Sequence, residues 1–287
     1  MAARVEVQSF FHVPTSTASH LVLDRESGEA AIVDPALDFE PANGRTGTAF
    51  VDSMLAALAK AGGRLRWVLE THLHADHLSA GDHLRRATGA KIAIGKETPA
   101  IQSFFAPKFS AADLRPNGGD FDLLLGEGDR VPLGATSFAV LATPGHTRAC
   151  VTYAIDDAAF VGDTVFMPDY GTARTDFPSG DAATLWRSIQ RLHALPDATR
   201  LFLCHDYPGP ARTRNEWVVT VAQSRRNVHL VAAPDEAAFV AFRRAKDKTL
   251  PPPRLLAASI QVNIRAGRMP PPDADGRVYL RTPVNGL

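Results

Sequence analysis

Along most of the chain, β-type runs alternate with helical spacing and short turns, and no fixed-period repeat interrupts the pattern. VEVQSF (5–10), HLVLD (20–24) and AAIVD (30–34) are short, rich in β-branched and aromatic residues, and predict strands. AFVDSMLAALAKAG (49–62) has the apolar spacing of an amphipathic helix and stops at a glycine pair. RLRWVLETH (64–72) is a β-type run that leads straight into a histidine cluster, and TSFAVLATPGH (136–146) repeats that logic. CVTYAIDDAAFVGD (150–163) predicts a hairpin turning at Asp156 and Asp157, and TRLFLCHD (199–206) a strand that closes on a histidine and an aspartate. Beyond about Pro208 the pattern becomes helical and then proline-rich (LPPPRLL, MPPPDADG). The expected architecture is mixed α/β, with residues 1–210 as the main domain and 211–287 as a C-terminal helical and irregular extension packed on it.

Composition narrows the partners. The 287 residues are 45% hydrophobic, enough for a large core, and 31 basic residues balance 31 acidic ones. A neutral chain has no long-range field for nucleic acid or an anionic membrane, so the expected partners are small molecules, and an anionic one needs local cations. No apolar run approaches the ~18 residues of a membrane span, and the first residues lack the apolar core of a secretory leader, so a cytoplasmic location is expected. Cys150 and Cys204 are too few for a disulfide scaffold.

The chemistry lies in ETHLHADHLSAGDHL (70–84), which holds four of the ten histidines. In an extended strand end His72 and His74 project to the same side and can share a metal. Asp76 and His77 follow where the chain turns toward a predicted helix start. His146 in PGHT, Asp163 in VGDT and His205 in LCHDY each end a further predicted strand. Such a convergence of ligand-type residues points to a metal site. His12, His20, His83, His193 and His229 lack metal spacing and read as structural. Strand alternation would turn Cys204 away from His205, so both cysteines are expected to be buried structural thiols. Tyr207, two residues after His205, is expected on its side of the strand, within reach of a ligand or substrate.

THLHADH, TPGHT, FVGDTVF and the late strand histidine together resemble the metallo-β-lactamase superfamily over roughly residues 5 to 210. TPGHTRACVTYAI, GTARTDFPSGDAATLWRSI, HDYPG and SIQVNIRAGRMP resemble its persulfide dioxygenase branch over most of the chain. The resemblance implies an αββα sandwich and one Fe(II) per chain held by His72, His146 and Asp163, with His74, Asp76, His77 and His205 orienting those ligands. It further implies oxidation of glutathione persulfide by O2 and water to sulfite and glutathione, with Tyr207 at the reacting site. Two imidazoles and a carboxylate leave positions open on iron for substrate and O2. All seven ligand-type residues of a dinuclear hydrolase are also present. A two-zinc enzyme of glyoxalase II type, acting on a glutathione thioester, therefore stays open, as does a metal-bearing sensor or binding protein without turnover. Arg174, Arg212 and Arg214 are the candidate cations for the glutathione carboxylates, with Tyr207 beside them and Asp169 and Tyr170 shaping the mouth. A homodimer is left open.

Overall fold

The computed structural model describes residues 4–209 and 212–286. Alternation along its central strands explains the layering. In Glu29–Val33, Ala30 and Ile32 fall into one apolar cluster and Ala31 and Val33 into another, so both faces of the strand are buried. Val68 parts from Trp67 and Leu69 in the same way, and Ile92 and Ile94 from Ala93. In the second sheet Phe160 and Phe202 face inward while Ala159 and Leu201 face outward. Strands apolar on both faces need cover on both, which gives two sheets face to face with helices outside, an αββα sandwich. Val51, Met54 and Leu58 of the helix Ala49–Lys60 cover one outer face, and Leu185, Ile189 and Leu192 of the helix Ala182–His193 cover the other.

The first sheet has the order Val5–His12, Thr17–Asp24, Glu29–Val33, Arg64–Leu69, Lys91–Gly95, Leu123–Leu125. The second runs Arg130–Leu133, Thr136–Ala142, Val151–Ile155, Ala158–Phe160, Arg200–Phe202, Val218–Thr220. The predicted hairpin is present, with Ile155 opposite Ala158 and Asp156 in the left-handed region at φ 50°. One expectation shifts. No helix starts at Asp76 and His77, because Leu78–Ser79 first pairs with Ala36–Glu40, and the helix begins at Gly81. The metal-type residues after Leu69 therefore lie in an irregular loop.

The 210/211 boundary lies outside the described residues. Past it, Glu236–Asp247 packs on Ala182–His193, while Ile260 and Val262 of Leu256–Asn263 enter the same cluster as Val51 and Met54.

His20 is buried between the sheets, its Nε2 donating to the Leu203 carbonyl (3.0 Å) and its Nδ1 taking the Ser9 hydroxyl (2.9 Å). Burial pushes its pKa down to about 4. The unfolded ring titrates near 6.5, so this contribution to stability is complete above that pH and fades as pH falls toward 4, by about 3 kcal/mol. Urea melts should show the native protein losing more stability than His20→Gln between pH 7 and pH 4.5. Equal losses would contradict the assignment.

Candidate metal centre

Four strand ends deliver the residues to one edge of the sandwich. His72 follows Arg64–Leu69, His146 follows Thr136–Ala142, Asp163 follows Ala158–Phe160 and His205 follows Arg200–Phe202. Two of these loops need glycine. Gly145 has φ 144° with the Leu185 backbone 2.3 Å from where a Cβ would stand, and Gly162 has φ 53° with Thr71 Oγ1 at 2.4 Å. The residues after these glycines are His146 and Asp163, so both loops press closely on neighbouring chain.

His72, His146 and Asp163 each offer a ligand atom, all within 4.8 Å of one another. Asp163 Oδ2 lies 3.8 Å from His72 Nε2 and 3.9 Å from His146 Nε2. His146 Nδ1 donates to the Arg174 carbonyl at 2.8 Å, which leaves the Nε2 lone pair for a cation. Burial and the neighbouring imidazoles hold His72 far below the usual histidine range, and burial raises the Asp163 carboxyl against the pull of His205 and His146.

His74 turns the other way. Its Nε2 meets Asp34 Oδ1 at 3.0 Å and Glu70 Oε2 at 3.4 Å, and although burial opposes it, these acids raise its pKa well above the ordinary value. His77 Nδ1 donates to the Leu78 carbonyl (3.2 Å), and burial drives the ring down to about 3. His205 Nδ1 donates to the Ser16 carbonyl (3.1 Å), and its Nε2 lies 3.1 Å from Asp76 Oδ2 and 3.5 Å from Asp163 Oδ1. His72 Nε2, His74 Nδ1, His77 Nε2, Asp163 Oδ1 and His205 Nε2 are buried without hydrogen-bond partners. Such a set of orphaned donor atoms fits a bound cation.

Cys204 corrects the expectation from alternation. Regular pairing ends at Phe202, the chain bends at Cys204, and its thiol lies within 4.8 Å of ligand atoms of His74, His77 and His205. Cys150 is packed as expected, its Sγ 3.1 Å from Thr147 Oγ1.

Asn263 was missed by the sequence reading. Its Oδ1 accepts from Ser79 N–H (2.8 Å) and its Nδ2 donates to the His74 and His77 carbonyls (2.8 Å each), so the C-terminal helix fixes the histidine loop. A lone asparagine in an apolar helix gives no signal of this. Asn263→Ala should cost about 3 kcal/mol in urea melts and weaken metal affinity roughly 10-fold or more, because three buried backbone groups lose their partner. Unchanged affinity in a competition titration would show that the loop holds its shape without it.

A cavity of about 360 Å³ opens beside Asp76, His146 and Asp163. Tyr207 lines it with its ring 19° from parallel to that of His205, and Tyr170 lies 4.8 Å from Tyr207. Arg174 also lines it, although Nε and Nη2 are held by Asp176 and Nη1 by the Pro251 carbonyl. Arg214 is not brought there: it is 82% exposed and paired with Glu216 on an outer loop. Arg212 bridges Asp206 and Asp169 instead, tying the turn before Tyr170 to the strand end. The extension supplies three cations not foreseen, Lys246, Arg254 and Arg243, the last paired with Asp247, and His229, expected to be merely structural, lines the cavity 2.9 Å from Lys246 Nζ. The proline-rich stretch after the helix Glu236–Asp247 brings Leu250, Pro251, Pro253 and Arg254 to the cavity wall, a placement set by the fold and not by local pattern.

Residues 8–205 match the family described as Metallo-beta-lactamase superfamily. The chain belongs to this superfamily. Across 98% of its length it is 47% identical to a probable metallo-hydrolase of Burkholderia pseudomallei (strain 1710b), covering 99% of that protein. It is 38% identical, over 100% of its length and 99% of the other, to a Dictyostelium discoideum protein named glyoxylase B2. It is 31% identical, over 94% of its length and 92% of the other, to the mitochondrial persulfide dioxygenase ETHE1 of Mus musculus. The chain spans 66% of a β-lactamase hydrolase-like protein of Agrobacterium fabrum, at 45% identity. Among solved structures, ETHE1 from Myxococcus xanthus aligns with a TM-score of 0.73 at 29% identity, over 92% of this chain and 100% of that one. The superfamily thus accounts for the fold, and the candidate ligand groups suit a metal-binding enzyme. Among the described residues, no helix is long and apolar enough to cross a membrane.

Proposed function

We propose that this superfamily member is a cytoplasmic Fe(II)-dependent persulfide dioxygenase, which oxidises glutathione persulfide with O2 and water to sulfite and glutathione. The observation that carries the reading is the buried group of two imidazoles and one carboxylate, His72, His146 and Asp163, opening onto a cavity with cations on its walls. A ferrous ion held by such a face keeps positions open and supplies the electron donation that O2 needs. The likeness in sequence and structure to the two ETHE1 proteins supports the same reading.

The protein's own residues then have separate tasks. The Arg174 carbonyl fixes the His146 ring, and Thr71 Oγ1, 3.0 Å from His72 Nδ1, does the same for His72. Lys246, Arg254 and Arg174 face the two carboxylates of glutathione, while Tyr207 and Tyr170 form an aromatic wall along the thiol arm. A cation remote from the sulfur binds ground and transition state alike. Lys246→Ala and Arg254→Ala should therefore raise KM for glutathione persulfide by roughly 5–10-fold with kcat nearly unchanged, and Arg214→Ala should leave both alone. Steady-state kinetics in which Arg214→Ala raises KM and the other two do not would refute this placement.

A second reading has a specific basis. All seven residues of a dinuclear site meet at the same edge, and the relatives named metallo-hydrolase and glyoxylase are the more similar in sequence. Under it the chain is a two-zinc hydrolase of a glutathione thioester. Metal analysis of protein purified without added metal separates the two, with one iron per chain expected for the dioxygenase and two zincs for the hydrolase.

A further inference from the structure

Four buried side chains behind the iron-type triad form a group of their own. His74, His77, Cys204 and His205 each offer a ligand atom, and all four atoms lie within 4.8 Å of one another. The hydrogen bonds fix which imidazole nitrogen is free in each ring. His74 commits Nε2 to Asp34, His77 commits Nδ1 to the Leu78 carbonyl, and His205 commits Nδ1 to the Ser16 carbonyl. A carbonyl or carboxylate accepts only, so the committed nitrogen carries a proton and the other is the one that can turn to a metal. Those other nitrogens, His74 Nδ1, His77 Nε2 and His205 Nε2, are the buried atoms without partners. Three imidazoles, each with one nitrogen lacking a hydrogen-bond partner, thus group with one thiol, and Asp76 Oδ2 is 3.1 Å from His205 Nε2.

We infer that His74, His77, Cys204 and His205 form a second metal position with a thiolate ligand, one that takes a thiophilic divalent ion such as zinc in preference to a second iron. Cys204 is not among the seven residues of the dinuclear set, so this position differs in kind from the triad. A thiolate with three imidazoles is a soft, four-ligand set of the sort that holds zinc tetrahedrally, whereas the carboxylate-containing triad suits ferrous iron. Binding releases the Cys204 proton together with any proton held on the three free ring nitrogens. The two neighbouring positions would then select different metals from the same pool.

Cobalt(II) is the probe, since a thiolate bound to it gives a sulfur-to-metal charge-transfer absorption in the near-ultraviolet that imidazole and carboxylate ligands do not. Reduced, metal-free full-length protein is titrated with CoCl2 under argon, and zinc is then used to displace the cobalt. The native protein and Cys150→Ser should both show the band, and zinc should remove it. Cys204→Ser should lack the band and bind the second equivalent of metal at least roughly 10-fold more weakly. Absence of the band in the native protein overturns the inference without reference to any variant, and so does a band that survives in Cys204→Ser. The result is separable from the dioxygenase reading, because O2 uptake depends on iron at His72, His146 and Asp163 whether or not the thiolate band appears.

Discussion

Removing His72, His146 or Asp163 by substitution with alanine is expected to abolish iron retention, whereas His74→Ala keeps a substantial part of it. These three side chains form a ligand group among themselves, while His74 groups with His77, Cys204 and His205 and turns its Nε2 to Asp34. Deleting one of three ligands removes a direct bond and leaves the remaining two unable to hold an exchangeable ferrous ion. The loss should exceed the roughly 10–100-fold that follows when a residue merely supporting a ligand is removed. Iron per chain, measured after anaerobic desalting, checks this, with thermal melts to show that each variant is folded. If His74→Ala lost iron as completely as His72→Ala, the three-ligand assignment would be wrong.

Replacing iron with zinc should eliminate sulfite formation while leaving the fold intact. The ligands accept either ion, but zinc has no accessible redox change and cannot donate electron density to O2. Protein loaded with zinc alone, matched to the iron form by circular dichroism and melting temperature, is expected to form sulfite at less than about one hundredth of the iron rate. Comparable rates in the two forms would mean that the metal does not carry the redox step.

The sequence was most informative where a local pattern forced the outcome. Continuous apolar runs in AAIVD and in the hairpin around Asp156 specify strands buried on both faces, and these strands require two sheets with helices outside. The seven ligand-type residues were visible because histidines and aspartates at the ends of apolar runs have few other uses. Features set by distant parts of the chain were not visible. Cys204 escapes alternation because pairing stops at Phe202, and no rule of local geometry shows where a strand ends its ladder. Asn263 reaches the histidine loop across 184 or more residues of sequence, and Lys246, near the end of the helix Glu236–Asp247, and Arg254, just past the proline run, reach the cavity from the C-terminal extension. Arg214 shows the converse: near the last site strand in sequence, it points outward to Glu216.

The most direct measurement follows O2 and sulfite together in protein reconstituted anaerobically with Fe(II) and then mixed with glutathione persulfide and air-saturated buffer. The account predicts one iron per chain, one O2 consumed for each sulfite released, and loss of both on adding a chelator. It would be contradicted by an iron form that takes up no O2 with persulfide while the zinc form rapidly hydrolyses S-lactoylglutathione.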